Sequence, residues 1–247
     1  ATDTPAVHPH ISQDERSYID ANLPTRTTVQ LPVSALFSSL PLLTVAFAYM
    51  CFAYIGWLFL FWFPTYLVEA RGFPLSAMGT AGIFLHGGGF VGLVGGGFVG
   101  DWLLRHGWSP QFVRARMGGI SVFLSLPFLL GAALVPSPLL CVVFQVLFYT
   151  LFTVALSGFS TIAIEFNPNF AGAIFGLINT MGTFAGFFGP LTAGYMLASS
   201  GGNWLIPFYV STAVGGVCAT ILLTVPVRPL KLDTPDTAPS MASAVAQ

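Results

Sequence analysis

Apolar residues run along this chain in long stretches without any charged side chain. Asp, Glu, Lys and Arg are absent from residues 27–68, 72–100, 117–164 and 166–227. An α-helix of roughly 20 apolar residues crosses the hydrocarbon core of a bilayer, which is about 30 Å thick. Each of the first two stretches is therefore predicted to hold one membrane-spanning helix, and each of the two longer ones is predicted to hold two.

Turn-forming residues divide the two longer stretches. Pro136 and Pro138 interrupt the third stretch, and the run SSGGN at 199–203 interrupts the fourth. Pro and Gly in such clusters end helices. Residues 36–228 are therefore predicted to form an all-α membrane bundle. Its six transmembrane helices are expected at about residues 40–68, 77–103, 117–135, 139–164, 170–198 and 204–226.

The composition excludes a water-soluble domain. Of the 247 residues, 55% are hydrophobic and only 7% are charged, whereas soluble domains carry about 25% charged residues. The surface is therefore predicted to face the lipid bilayer. A formal net charge of −1 gives no basic field for nucleic acid. Cys51, Cys141 and Cys218 fall inside predicted helices as small hydrophobic residues, so neither a metal nor a cofactor is expected.

Basic residues mark one side of the predicted bundle. Cytoplasmic loops retain Lys and Arg, and six helices place both termini on the same side. Seven of the eight basic residues fall on that side, and Arg71 falls on the other. This bias predicts a protein of the cell (inner) membrane with both termini in the cytoplasm. The seven are Arg16, Arg26, Arg105, Arg114, Arg116, Arg228 and Lys231.

Polar segments flank the bundle at both ends. Residues 1–35 lack the apolar core of a signal peptide. Within them, Ser12 and Glu15 have the spacing of a capping box, which predicts a short amphipathic helix. The segment is typical of a cytoplasmic linker that a further part of the protein precedes. Residues 229–247, rich in Pro, Ala, Ser and Thr, are predicted to form a disordered cytoplasmic tail.

Small residues recur along the second predicted helix. Gly88, Gly92, Gly96 and Gly100 stand four residues apart. Such a stripe lets two helix backbones approach closely. The second helix is therefore predicted to pack tightly on a neighbour.

The end of this stripe carries a recognisable motif. The sequence GGFVGDWLLRHG at 96–107 resembles the glycine-rich loop motif of the major facilitator superfamily, in the copy that belongs to the C-terminal half. The resemblance implies that Gly97, Asp101 and Arg105 form a conformational motif at the cytoplasmic boundary. His106 departs from the pattern, because a second basic residue is common there.

Three further segments resemble the anion:cation symporter branch of that superfamily, which includes sugar-acid, hexuronate and phthalate permeases. They lie at 3–15, at 62–67 (WFPTYL) and from Glu165 to Tyr195. The resemblance implies the C-terminal six-helix bundle of a major facilitator fold, with the missing N-terminal six-helix half upstream. It also implies alternating access around a site at the bilayer midplane, and transport of a small organic anion coupled to a cation, usually a proton, through residues of the other half.

Polar side chains inside the hydrocarbon are costly, so each is a functional candidate. His86 fits either a role in binding a carboxylate or relaying a proton, or a neutral side chain bonded to a neighbouring helix. Asn179 and Thr183 lie one turn apart on the fifth helix, where an amide can donate to and accept from a hydroxylated carboxylate. In the branch an Asn at this point lies against the substrate, so the resemblance favours Asn179 as a binding residue.

The remaining candidates are hydroxyl groups. Ser157 and Ser160 share one face of the fourth helix by their spacing, and the resemblance places this stretch beside the cavity. Bonding of their hydroxyls to their own helix carbonyls explains them as well. Tyr49 and Tyr54 on the first helix are candidates for the cavity wall. No catalytic residue is predicted.

Two other functions remain open at this point. A half-size membrane protein would act as a homodimeric carrier or a channel-like subunit. An intramembrane serine protease also combines six helices with a Ser and a His, but Ser157 lacks the glycine two residues before it and His86 precedes it in the chain. Transport without enzymatic activity is therefore the prediction, with sugar acids, aromatic acids and dicarboxylates all retained as substrates.

Overall fold

A computed structural model describes residues 11–22, 33–227 and 229 of the chain. The first of these segments forms α1 (Gln13–Asn22). The Ser12 hydroxyl accepts a hydrogen bond from the Glu15 N–H at 3.1 Å, which is the contact that a capping box requires. Residues 1–10, 23–32, 228 and 230–247 lie outside the described residues, so the division into linker, bundle and tail stays a prediction.

Within the described residues, six helices are long and apolar enough to cross a membrane, which confirms the predicted fold class. They follow a short helix, α2 (Val33–Ser38). A π-helical turn (Tyr66–Ala70) extends the first of them, and another (Phe112–Arg116) precedes the third. The six are α3 (Leu40–Thr65), α4 (Met78–Arg105), α5 (Met117–Leu134), α6 (Pro138–Phe166), α7 (Ala171–Ser199) and α8 (Leu205–Thr224).

The helices end at the predicted breaks, and capping and turn residues account for each break. Ser137 caps α6, since its hydroxyl accepts from the Leu140 N–H at 3.4 Å, and Pro138 occupies the first helical position, where its missing N–H costs nothing. Between α7 and α8, Gly201 and Gly202 adopt φ angles of 68° and 87°. Such angles favour glycine because it has no Cβ.

Each edge of the bundle is a closely packed pair of helices, and α5 and α8 connect the two pairs at the back. At one edge α4 packs chiefly on α6, and at the other α7 packs chiefly on α3. At the back, α5 packs on α6 and α8, and α8 packs on α3. Only 17% of the residues in the most apolar part of α4 are buried, and 22% in α7, against 56% in α3. The edge helices α4 and α7 therefore leave most of their surface uncovered.

Aromatic rings fill the interior where α3, α6 and α8 meet. Phe52 stacks on Phe152 with ring centroids 4.1 Å apart. Phe59 meets Phe208 edge-on at 5.2 Å. These contacts hold α3 and α6 in place, the two helices on which the edge helices α7 and α4 pack.

Candidate functional site

Glycines of α4 bring it into backbone contact with α6. A Cβ atom on Gly92 would overlap the carbonyl oxygen of Thr150. One turn earlier, a Cβ on Gly89 would lie 2.5 Å from the ring of Tyr149. The Thr153 hydroxyl donates to the Gly89 carbonyl at 2.8 Å, a bond between the helices. The predicted stripe thus produces a tight seam, here called the α4–α6 seam.

A second set of glycines lies on α7, at its contact with α3, here called the α3–α7 seam. A Cβ on Gly182 would lie 2.5 Å from the ring of Tyr49. A Cβ on Gly186 would lie 3.1 Å from the indole nitrogen of Trp57. Aromatic rings of α3 therefore lie across the bare backbone of α7. Gly182 and Gly186 belong to the branch resemblance, but their place in a packing stripe was not predicted.

Two hydrogen bonds hold the α3–α7 seam together. The hydroxyl oxygens of Tyr54 and Thr192 lie 2.9 Å apart. The indole N–H of Trp62 donates to the Pro190 carbonyl at 3.0 Å. The predicted candidate Tyr54 is thus already engaged between two helices of this chain.

Tyr49 lies where three helices come together. Its ring covers Gly182 of α7 and meets Phe159 of α6 edge-on at 5.0 Å. Its hydroxyl has no hydrogen-bond partner among the described residues. Tyr49 therefore presents an unused hydroxyl next to the fifth membrane helix.

Asn179 and Thr183 lie on the uncovered part of α7. Both side chains are exposed. The Thr183 hydroxyl donates to the Asn179 carbonyl at 3.0 Å, so its donor is used within the helix. The Asn179 amide has no partner in the described part of the chain. Asn179 precedes Gly182 by three residues, which puts it on the side of α7 that meets Tyr49.

His86 is exposed on α4 and meets the ring of Tyr149 edge-on, with 6.2 Å between ring centroids. Neither the imidazole nor the Tyr149 hydroxyl has a hydrogen-bond partner among the described residues. The alternative of a histidine bonded to a neighbouring helix is therefore not what the structure contains. Sequence reasoning missed Tyr149, although it lies four residues before Thr153, on the polar side of the same helix.

Ser157 and Ser160 bond back to their own helix. The Ser157 hydroxyl donates to the Val154 carbonyl at 2.8 Å, and the Ser160 hydroxyl donates to the Ser157 carbonyl at 2.9 Å. Their oxygens remain acceptors. Both residues line a cavity of about 260 Å³ that also borders Asp101 and Arg114.

The three residues of the conformational motif lie at the end of the bundle that contains this cavity. Gly97 and Asp101 line the cavity, while Arg105 is exposed one turn further on. No ion pair joins Asp101 to Arg105 in this part of the chain. The pairing that a four-residue spacing permits is therefore not made in this conformation.

An ion pair that sequence reasoning missed lies beside them. The Arg114 Nε atom lies 3.5 Å from a Glu165 carboxylate oxygen, and Arg114 Nη1 donates to the Thr161 hydroxyl at 3.0 Å. The two charges flank the α5–α6 hairpin, whose antiparallel helices bring its first and last residues together. That hairpin was the sequence feature from which the pair could have been found.

At the opposite end of the bundle, Arg71 caps a helix. Its guanidinium donates to the carbonyls of Ala132, Ala133 and Val135, where α5 ends. Its Nε atom donates to the Tyr66 hydroxyl at 2.6 Å. A cation at a helix C-terminus also interacts favourably with the helix dipole. All of these donors are used inside the chain, so Arg71 is structural.

Comparison with known proteins identifies the family. Residues 3–190 match the Major Facilitator Superfamily. A probable galactarate/D-glucarate transporter of Bacillus subtilis is 28% identical over 91% of this chain and 52% of its own length. Vesicular glutamate transporter 3 of Danio rerio is 30% identical over 78% of this chain and 34% of its own length. Sialin of Homo sapiens is 28% identical over 86% and 44%.

The chain spans about half the length, or less, of these relatives. The family and the transporter names confirm the prediction that this chain is not an enzyme. They agree with the structure, in which the Ser157 hydroxyl is bonded to its own helix. The match over most of the chain, together with its six apolar helices, shows that this multi-pass membrane protein belongs to the Major Facilitator Superfamily.

Proposed function

We propose that this chain is one six-helix half of a transporter that moves a small organic anion, a sugar acid or related carboxylate, by alternating access. The single observation that carries this proposal is the set of unpartnered polar groups on the uncovered edges of the bundle. Asn179 on α7 and His86 on α4 are both exposed and without a hydrogen-bond partner among the described residues. Lipid hydrocarbon cannot satisfy such groups, whereas a polar ligand in a water-filled cavity can.

The partner of this face is a second six-helix half. The edge helices α4 and α7 expose large apolar side chains beside their polar ones, including Phe90 and Phe187 at 66% each. A mixed surface of this kind suits a protein partner that encloses a polar cavity better than it suits lipid alone. Rocking of two such halves around a site between them is the alternating-access mechanism.

The substrate class follows from the chemistry of the unpartnered groups. The Asn179 amide can donate to one substrate oxygen and accept from a substrate hydroxyl. The Tyr49 hydroxyl adds a second group of mixed capacity. Hydroxylated carboxylates match these groups, and the relative from Bacillus subtilis is named for two of them, galactarate and D-glucarate. We assign Asn179 and Tyr49 to the substrate.

The other candidates have secondary roles in this proposal. Thr183, Ser157 and Ser160 keep acceptor oxygens for a substrate hydroxyl, since only their donors are used within their helices. Tyr54 shapes the wall through its bond to Thr192. These side chains contribute less binding energy than groups with no partner at all.

The conformational motif completes the proposal. Asp101 and Arg105 are exposed and joined by no ion pair, so both are available to the second half when the cavity closes on this side. The strong bias of basic residues supports a cytoplasmic location for this end and for both termini. Coupling to a cation, most simply a proton, is assigned to the other half, as in the symporters that the sequence resembles.

Uptake by the complete transporter tests this function. Proteoliposomes containing it are expected to accumulate labelled galactarate or galactonate, and Asn179→Ala is expected to weaken uptake about tenfold in KM, the loss of one hydrogen bond to a charged or polar substrate. Absence of sugar-acid uptake by the wild type contradicts the proposal. Wild-type kinetics in Asn179→Ala removes that residue from the site.

A matched experiment separates the half-transporter from a homodimeric carrier. Vesicles that contain only this chain are expected to hold the protein in the membrane without uptake. Uptake by those vesicles would show that a second copy covers the uncovered face.

A further inference from the structure

Two polar side chains at the α4–α6 seam, His86 and Tyr149, make no hydrogen bond among the described residues. The His86 imidazole and the Tyr149 ring meet at an interplanar angle of 81°, with centroids 6.2 Å apart. The Tyr149 ring rests on the bare backbone of Gly89. The contact with Gly89 holds the Tyr149 ring against α4, beside the His86 ring.

Neighbouring hydroxyls in the same seam are already satisfied. The Thr150 hydroxyl donates to the Val146 carbonyl at 2.8 Å, and the Thr153 hydroxyl donates to the Gly89 carbonyl at 2.8 Å. Among the described residues, no partner exists for the Tyr149 hydroxyl or for either ring nitrogen of His86. Lipid hydrocarbon cannot satisfy such groups, so both are available to a polar ligand.

The position of His86 along α4 shows which side of the helix it lies on. Leu93 and Gly97 follow His86 by seven and eleven residues, which places all three on one face of α4. Leu93 and Gly97 line the cavity of about 260 Å³ that also includes Ser157 and Ser160. His86 therefore lies on the cavity side of its helix.

The charges around the pair select the kind of ligand. No Asp or Glu occurs on α4 before Asp101, and none occurs on α6 before Glu165, so no carboxylate of these helices competes for the pair. An imidazole N–H and a phenol O–H are two donors from two helices. A carboxylate, whose oxygens only accept, takes both at once, and a hydrogen bond to a charged group is stronger than one between neutral groups.

We propose that His86 and Tyr149 together bind a carboxylate at one end of the substrate, which makes this chain selective for sugar diacids over sugar monoacids. This inference rests on the proposed function and goes beyond it, because it assigns a specificity determinant that the amide of Asn179 does not supply. Tyr149 is the new residue, and it acts by direct contact with the substrate.

A substrate comparison in the complete transporter tests the pair. Galactarate carries a carboxylate at both ends, and galactonate carries a hydroxymethyl group at one of them. Tyr149→Phe and His86→Gln are each expected to weaken competition by galactarate about tenfold or more, the loss of one hydrogen bond to a charged group. In this inference the carboxylate that both acids share lies against the second half of the transporter, so galactonate presents its hydroxymethyl end to the pair. Competition by galactonate is then expected to change less than about threefold, since a neutral end loses only a neutral bond.

Tyr149→Phe keeps the ring that covers Gly89, so packing of the seam is preserved. Tyr209→Phe, at an exposed position on α8, is the matched control and is expected to behave as wild type with both acids. The double variant is expected to lose less than the product of the single losses, because both side chains bind one group.

The outcomes separate this inference from the function on which it rests. Equal losses for galactarate and galactonate would mean that the pair does not distinguish a diacid from a monoacid, and unchanged competition would mean that it does not touch the substrate. Either result overturns the inference alone. A wild type without any sugar-acid uptake overturns the proposed function as well, and that result is visible before any variant is made.

Discussion

The α4–α6 seam and the α3–α7 seam both depend on glycine, but the opposing helices present different groups to it. On α6, Gly92 of α4 meets the Thr150 carbonyl and the Thr153 hydroxyl, and Gly89 meets the Tyr149 ring. On α3, Gly182 and Gly186 of α7 meet the large rings of Tyr49 and Trp57, while a Cβ on Gly189 would lie 2.9 Å from the Tyr54 carbonyl oxygen. The tightest approach in the α4–α6 seam is therefore to a backbone carbonyl, and the tightest approach in the α3–α7 seam is to an aromatic ring.

This difference predicts how each seam responds to added volume. A backbone carbonyl in the middle of a helix cannot move without displacing the helix, whereas an aromatic ring rotates about two side-chain torsions. We therefore expect α4 to be held rigidly on α6, and α7 to be held on α3 by contacts that adjust. In the alternating access that we propose, the adjustable seam is the one that can follow a substrate at the proposed binding residue Asn179.

The largest effect is expected from Gly92→Ala. Its Cβ would overlap the Thr150 carbonyl, so the two helices must separate. Thermal unfolding of the purified protein in detergent should show a loss of stability at or above about 3 kcal/mol, the upper end for added volume in a packed interior. Gly95→Ala, which has open space around its Cβ, is the control. Equal stability of the two variants would contradict a rigid α4–α6 seam.

An intermediate effect is expected from Gly182→Ala. The new Cβ would meet the edge of the Tyr49 ring, which Phe159 limits from the other side, so the loss should be about 1–2 kcal/mol. At Gly186 the opposing Trp57 is 38% exposed, so its ring has more room to move than that of Tyr49. Gly186→Ala should therefore cost less than Gly182→Ala in the same unfolding measurement. The reverse order would show that ring mobility does not govern this seam.

The smallest effect is expected from Thr153→Val, which keeps the shape of the side chain and removes its bond to the Gly89 carbonyl. Hydrogen bonds between membrane helices contribute about 0.6 kcal/mol on average. Thr212→Val, whose hydroxyl bonds only within α8, provides the comparison. A loss several times larger than this average would assign the rigidity of the seam to the hydroxyl and not to the glycines.

Much of the fold followed from where charged residues are missing. The number of helices could be predicted by comparing the length of each charge-free stretch with the thickness of a bilayer. The tight packing of α4 followed from the spacing of its glycines. The order of the helices in the bundle did not follow, because the few polar residues on each helix do not show which neighbour it packs against.

The candidate site was predictable only in part. His86 and Asn179 are conspicuous because their side chains are polar in an apolar run. Whether a hydroxyl is free depends on its neighbours in space, so Tyr54 and Tyr149 could not be distinguished by residue type. The structure separates them, since the Tyr54 hydroxyl is paired with Thr192 and that of Tyr149 is not paired among the described residues. The pairing of Arg114 with Glu165 likewise needed the hairpin geometry.

The cap that Arg71 forms on α5 has a consequence for biosynthesis. The carbonyls that it binds lie 61 to 64 residues later in the chain. While the chain is being made, Arg71 reaches the membrane surface before these groups exist, so its guanidinium must remain hydrated until the third spanning helix has been inserted. Only then can that end of the bundle reach its final packing. Until then, the first two helices lack the contacts that Arg71 makes with α5.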